Sequence, residues 1–149
     1  MDEVDALFSK HRENSTEFSR EMVRMLNAKF HTNPRVAAQV NLELAKTVFS
    51  KWSIEILTLL YSARSASYGD LKRELQGITS KVLSEKLKKL ESGGLARREI
   101  VAGKPPRIVY SLTEDGITVA KLGEPVFLFL GYKEGLYAPP KAVLEKARR

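Results

Sequence analysis

Lys81, Ser84 and Lys88 follow one another at intervals of three and four residues, with Lys89 adjoining, in the stretch SKVLSEKLKKLES that begins at Ser80. Side chains at those intervals share one face of a helix. A face of ammonium groups and a hydroxyl suits phosphate oxygens, through charge, and base edges, through hydrogen bonds. Thr79 or Ser80 supplies the N-cap, and both hydroxyls join the set expected to contact nucleic acid. At about 100° per residue, Val82, Leu83, Leu87 and Leu90 fall on the other side and are expected to face a core. Glu85 has two chemistries open to it: accepting from a cytosine amino group, or pairing with Lys81 or Lys89 at i,i+4. The ion pair is the stronger expectation. Lys86 sits at the edge of the apolar side, where its stem can pack while its ammonium reaches water.

Gly93-Gly94 ends this helix. Ala96 to Val101 and Arg107 to Leu112 then read as two strands joined by Ala102-Gly103-Lys104-Pro105-Pro106. Ile108, Tyr110 and Leu112 alternate with smaller or more polar neighbours, as a half-buried strand requires. Lys104 at the tip and Arg107 beside it can reach phosphate or a minor groove, with the two prolines stiffening that reach. A lysine-bearing helix followed at once by a basic hairpin is the shape of a recognition helix and wing fitted to duplex DNA.

Other elements must hold that pair in place. Ser67-Tyr68-Gly69-Asp70 is a capping box that starts a short helix, with Leu71 and Leu75 inward and Gly77 ending it. Helix, tight turn, helix is a helix-turn-helix. Before it, Ile54, Ile56, Leu57, Leu59, Leu60 and Tyr61 surround a helix on nearly every side, which marks it as the central one. After the hairpin, Thr113-Glu114-Asp115 caps a helix expected to stop near Gly123, because Pro125 interrupts it. Val126 to Leu130 is uniformly apolar and needs cover. The closing residues suggest a loose terminal helix or a frayed end.

Toward the N-terminus the pattern is helical from Asp2 to about Thr32, with Phe18, Met22, Leu26 and Phe30 on one face. Asn33-Pro34 opens another helix, carrying Val36, Val40, Leu44 and Val48 at the same spacing. The expected fold is mostly α with a small antiparallel β-hairpin, an α+β winged helix-turn-helix with extra N- and C-terminal helices. Three segments follow: a helical extension over residues 1–45, the winged core over 46–123, and a C-terminal segment over 124–149 packing on the core or an interface.

Composition narrows the function. The net charge of +7 is unevenly spread: residues 1–45 hold six Lys/Arg against seven Asp/Glu, the remainder 19 against 11. The basic excess therefore coincides with the helix and hairpin, as binding to a polyanion requires. With Cys 0 there is no disulfide, thiolate metal site or thiol switch in the chain. His11 and His31 lie in polar helical surroundings without a carboxylate cluster, so no metal site is expected. No nucleophile elbow, phosphate loop or dinucleotide fingerprint is present, so neither enzymatic activity nor a cofactor is expected. The acidic opening MDEVDALF lacks a signal-peptide layout and no apolar run is long enough to span a bilayer. A cytoplasmic, nucleoid-associated location is expected.

Lys51-Trp52, Tyr68-Gly69-Asp70-Leu71, Gly77-Ile78-Thr79-Ser80-Lys81-Val82-Leu83, Leu87…Leu90-Glu91…Gly94-Leu95, Pro105-Pro106-Arg107 and Tyr110-Ser111-Leu112-Thr113…Gly116 resemble the HxlR-type winged-helix regulators. The similarity covers about residues 46–123. It implies a prokaryotic transcription regulator binding a pseudo-palindromic duplex operator as a homodimer. Family members that sense oxidants or electrophiles use a cysteine, and this chain has none. The N-terminal extension and the Gly123-Glu124-Pro125 interruption depart from the family's usual ends. The stripe Phe18, Met22, Leu26 and Phe30, with Val126, Phe127 and Phe129, is expected to form an enlarged dimer interface; packing onto the chain's own core is the alternative. A winged helix serving as a protein-interaction or RNA-binding module, or a non-specific architectural DNA-binding protein, stays open beside the regulator.

Overall fold

The computed structural model describes residues 2–26 and 33–137. Helices α1 (Glu3–Leu26), α2 (Pro34–Val48) and α3 (Ser53–Ala63) precede a short strand β1 (Ser65–Ser67). Helices α4 (Tyr68–Glu74) and α5 (Ser80–Ser92), strands β2 (Ala96–Val101) and β3 (Arg107–Leu112), and helix α6 (Glu114–Lys133) complete it. The sheet is antiparallel in the order β1-β3-β2, so β3 is central.

Local signals explain most boundaries. The Ser67–Asp70 capping box forms in full: the Asp70 amide donates to Ser67 Oγ at 3.1 Å and the Ser67 amide to the Asp70 carboxylate at 3.0 Å. Hydrogen bonds from Ser67, together with the Arg73 charge, hold the Asp70 carboxyl below its ordinary value. Thr79 caps α5 and Thr113 caps α6, each accepting from the amide three residues on. Asn33 and Pro34 open α2.

The core is where the periodicities meet. Ile56, Leu57 and Leu60 of α3, Leu71 and Leu75 of α4 and its exit, and Leu83, Leu87 and Leu90 of α5 are buried together with Ile78, Ala96, Tyr110 and Leu112. Ile54, Leu59 and Tyr61 are only half-buried, so α3 is central without being enclosed on every side.

Three expectations need correction. Helix α6 does not stop near Gly123 but runs unbroken to Lys133 with Pro125 inside it. Proline removes one backbone bond; contacts on both sides of it offset that loss, Tyr61 Oη donating to Glu124 at 3.4 Å and Phe8 packing edge-on against Phe129 at 5.1 Å. The sheet has a third strand, because Ser65-Ala66-Ser67 pairs with Ser111, Tyr110 and Val109. Three small residues carry no strand signature of their own; the free edge of β3 recruits them. Ile108, expected to be half-buried, is exposed near the hairpin tip, beyond the reach of the core.

The N-terminal extension touches the rest through its first turns. Phe8 also meets Tyr132, Lys133 pairs with Asp5 at 2.9 Å, and the Tyr132 hydroxyl donates to Asp2. That hydrogen bond pushes the Tyr132 pKa up to about 12. Beyond Phe8 the helix exposes Phe18, Met22, Met25 and Leu26, while Val23 is half-buried. Phe30 and the residues after Tyr137 lie outside the described part of the chain.

Candidate nucleic-acid interface

Helix α5 divides into two faces because its leucines are spaced for one side. Leu83, Leu87 and Leu90 are at most 1% exposed, and Val82 packs half-buried against them. Lys81, Ser84, Glu85, Lys88 and Lys89 are all exposed on the opposite face. Lys81, Lys88 and Lys89 take part in no ion pair among the described residues. Neither does Glu85, which corrects the expected i,i+4 pair with Lys81 or Lys89. An exposed ion pair at that spacing contributes only about 0.3–0.5 kcal/mol, too little to hold two flexible side chains together.

The hydroxyls divide their work. Thr79 Oγ1 accepts the Val82 amide at 3.2 Å, so its lone pair serves the cap. Ser80 is exposed in the first turn, with its carbonyl accepting the Tyr68 hydroxyl at 3.0 Å. That same hydroxyl lies 3.2 Å from Ser84 Oγ. Tyr68, at the start of α4, thus braces the N-terminal half of α5; its sequence signal is the aromatic position within the capping box. Lys86 anchors the far side: its Nζ donates to Ser50 Oγ at 3.1 Å, and Ser50 donates to the buried Ser53 at 2.9 Å. The ammonium expected to reach water is tied instead to the turn before α3. Lys72 adds a third brace by donating to the Ile78 carbonyl in the turn between α4 and α5.

The wing grows directly out of α5. Gly94, at φ +73, reverses the chain, and Leu95 N–H donates back to the Leu90 carbonyl at 2.9 Å. Strands β2 and β3 then pair in register from Ala96↔Leu112 to Val101↔Arg107. Cross-strand partners share a face, so Arg98 lies on the face of Tyr110 while Arg97 and Glu99 occupy the other, 3.7 Å apart. Lys104 and Arg107 are exposed at the tip. Arg98 is a further exposed cation on the wing that the sequence pattern did not single out, because a single Arg in an exposed strand has no period to mark it.

Reach sets the scale of what this arrangement can grip. Five steps of about 3.3 Å put the wing tip about 17 Å from its base, half of the roughly 34 Å turn of B-form DNA. A hairpin of that length would be long enough to reach the backbone flanking a groove that held the helix.

The residues expected at an interface between copies lie on other elements, α1 and α6. Phe18, Met22 and Leu26 on α1 and Val126, Phe127 and Phe129 on α6 are exposed in the single chain. Among the described residues, Phe129 alone of these has an aromatic partner, Phe8. Val36, Val40 and Leu44 on α2 are likewise exposed, while Val48 packs on the core. Among the described residues there is no group of three or more metal-ligating side chains, and no helix is long and apolar enough to cross a membrane.

Residues 47–126 match the model of the HxlR-like helix-turn-helix family. The chain is 38% identical over 74 residues to the uncharacterized HTH-type transcriptional regulator BH0655 of Halalkalibacterium halodurans. That match covers 50% of this chain and 66%, just under two thirds, of the relative. A solved chain from Enterococcus faecalis V583, described as a MarR-family transcriptional regulator, has a similar fold. It superposes with a TM-score of 0.52 at 30% identity, over 74% of this chain and 93% of that one. YtfH from Salmonella typhimurium is comparable, with a TM-score of 0.53 at 29% identity over 73% and 91% of the two chains. The matched stretch runs from the end of α2 through the braced helix and the wing into α6, more than half of the sequence. By that match the chain belongs to the HxlR-like helix-turn-helix family.

Proposed function

We propose that this chain is a transcriptional regulator that binds double-stranded DNA, with α5 in the major groove and the β2–β3 wing on the flanking backbone or minor groove. The observation that carries the reading is the exposed lysine face of α5, without an ion pair among the described residues, leading straight into a wing tipped by Lys104 and Arg107. Thr79, Ser80, Lys81, Ser84, Lys88 and Lys89 contact the groove and its phosphates, and Lys104 and Arg107 the backbone beyond. The regulatory names of BH0655 and the Enterococcus chain agree with this reading.

A homodimer on a pseudo-palindromic operator goes with it. Apolar residues exposed along α1, α2 and α6 of one chain need a covering surface, and a second copy places two reading helices one DNA turn apart. Phe18, Met22, Leu26, Val126, Phe127 and Phe129 are the residues assigned to that contact; Phe30 is assigned to it by sequence alone.

Selection of bound duplexes from a random pool, read at two salt concentrations, tests the function. An enriched inverted repeat, bound less tightly as salt rises, is the expected result. Absence of any enriched sequence, or a monomer in sedimentation at micromolar concentration, would remove the operator-binding dimer. Salt-insensitive binding would point to a protein partner instead.

A further inference from the structure

Ser84 stands on the exposed face of α5 and its hydroxyl is not free to rotate at will. The Tyr68 hydroxyl lies 3.0 Å from the Ser80 carbonyl oxygen and 3.2 Å from Ser84 Oγ. A phenol has one proton to donate, and a carbonyl has none. The Tyr68 proton therefore goes to Ser80, and in the second contact Ser84 is the donor and the phenol oxygen the acceptor. That uses the only proton of the Ser84 hydroxyl within the protein. What this hydroxyl presents outward is lone pairs alone.

We propose that Tyr68 sets the hydrogen-bond polarity of Ser84, making it an acceptor that selects an exocyclic amino group, of adenine or cytosine, in the major groove. The inference rests on the reading of α5 as the groove helix. In that groove the amino groups of adenine and cytosine are the donors, whereas guanine O6 and N7 and thymine O4 are acceptors. An acceptor-only serine faces the latter lone pair to lone pair. Tyr68 is a positioning residue for this selection, and its own place is secured twice: its ring packs against the core, and the capping box fixes the helix turn that carries it. An unbraced serine would be indifferent, since a freely rotating hydroxyl both donates and accepts.

The experiment starts from duplexes that the wild-type chain enriches from a random pool. Adenines in them are replaced one at a time by purine, and cytosines by pyrimidin-2-one, each lacking only the amino group; 7-deazaguanine removes an acceptor as the converse probe. Binding is measured by fluorescence anisotropy for the wild type, Tyr68→Phe and Ser84→Ala. At one position the wild type is expected to lose about three- to tenfold on amino removal, the size of one hydrogen bond. Ser84→Ala loses that sensitivity. Tyr68→Phe, whose Ser84 has recovered a free proton, accepts guanine or thymine at the same position about as well as the selected base. Thermal melting of Tyr68→Phe separates this from lost folding; if that variant does not fold, the amino-removal comparison between wild type and Ser84→Ala decides.

An enriched sequence whose base preferences are unchanged in both variants overturns the inference and leaves the groove reading standing. So does a Ser84-dependent loss that appears only with 7-deazaguanine, which would make Ser84 a donor. A wild-type chain that enriches no sequence removes both.

Discussion

Gly116 lies at the third position of α6, where the helix passes the turn between α5 and the wing, and replacing it by alanine opposes two effects of different size. A Cβ built there would sit 2.0 Å from the Leu95 carbonyl oxygen, 3.0 Å from its carbon and 3.2 Å from Leu112 Cβ. Carbon and carbonyl oxygen ordinarily approach no closer than about 3.3 Å. More than an ångström of relief must come from backbone on both sides, because neither obstacle is the end of a flexible side chain. Two hydrogen bonds span that junction, and a third caps the helix beside it. Thr113 N–H donates to the Leu95 carbonyl at 3.1 Å, Thr113 Oγ1 to the Gly94 carbonyl at 2.5 Å, and Gly116 N–H to Thr113 Oγ1 at 3.0 Å. Each contributes about 1 kcal/mol, and a shift of that size breaks or bends all three. Against this stands the helix preference of alanine over glycine, about 1 kcal/mol in its favour. Gly116→Ala is therefore expected to destabilise by about 2–4 kcal/mol, the upper end including overpacking. Gly123→Ala in the same helix is the control. Nothing lies within 4 Å of its added Cβ, so propensity alone acts and a stabilisation of up to about 1 kcal/mol is expected. Urea unfolding followed by circular dichroism reads both variants. A Gly116→Ala midpoint equal to or above that of the wild type would refute the packing argument.

Leu87→Ala, which empties a fully buried position at the centre of α5, is expected to cost about 2–5 kcal/mol by the same unfolding assay. The double variant Lys104→Ala/Arg107→Ala should weaken DNA binding evenly across sequences; in the proposed homodimer, the loss of two cations from each protomer is expected to reduce the log–log salt slope by about 3.6. An unchanged slope in anisotropy titrations would take the wing tip off the backbone. The Asp70 carboxyl titrates below the ordinary aspartate value of 3.8 in the folded chain. Its charged form is thus favoured by folding: the stability it contributes is present above that value and is lost as pH falls through the lower, folded one. Asp70→Asn should flatten the acid limb of a pH–stability curve without changing the plateau's shape above it, and a wild-type-like acid limb would contradict the cap's role.

How much was legible from residues alone depends on the range of the interaction. The α4 cap, the α5 cap and the leucine spacing of α5 act within one helical turn or two, and each was readable: Ser67 with Asp70, Thr79 with Val82, Leu83 with Leu87 and Leu90. The strand limits of the wing were readable for the same reason. Resemblance placed the family on the same motifs, and the family match over residues 47–126 bears it out. Proline at 125 misled, because its local cost is certain while the contacts of Glu124 with Tyr61 and of Phe129 with Phe8 join residues more than sixty positions apart. Strand β1 was invisible, since Ser65-Ala66-Ser67 is extended by its neighbour β3 rather than by its own side chains.

Periodicity alone, then, determined that a helix would carry lysines on one side and leucines on the other, and that a basic hairpin would follow. Only the folded chain decided what holds that helix: the Tyr68 hydroxyl on Ser80 and Ser84, Lys86 on Ser50, and Lys72 on the Ile78 carbonyl. Those braces link different elements, and donor–acceptor pairing between elements leaves no spacing rule in the sequence by which it could be read.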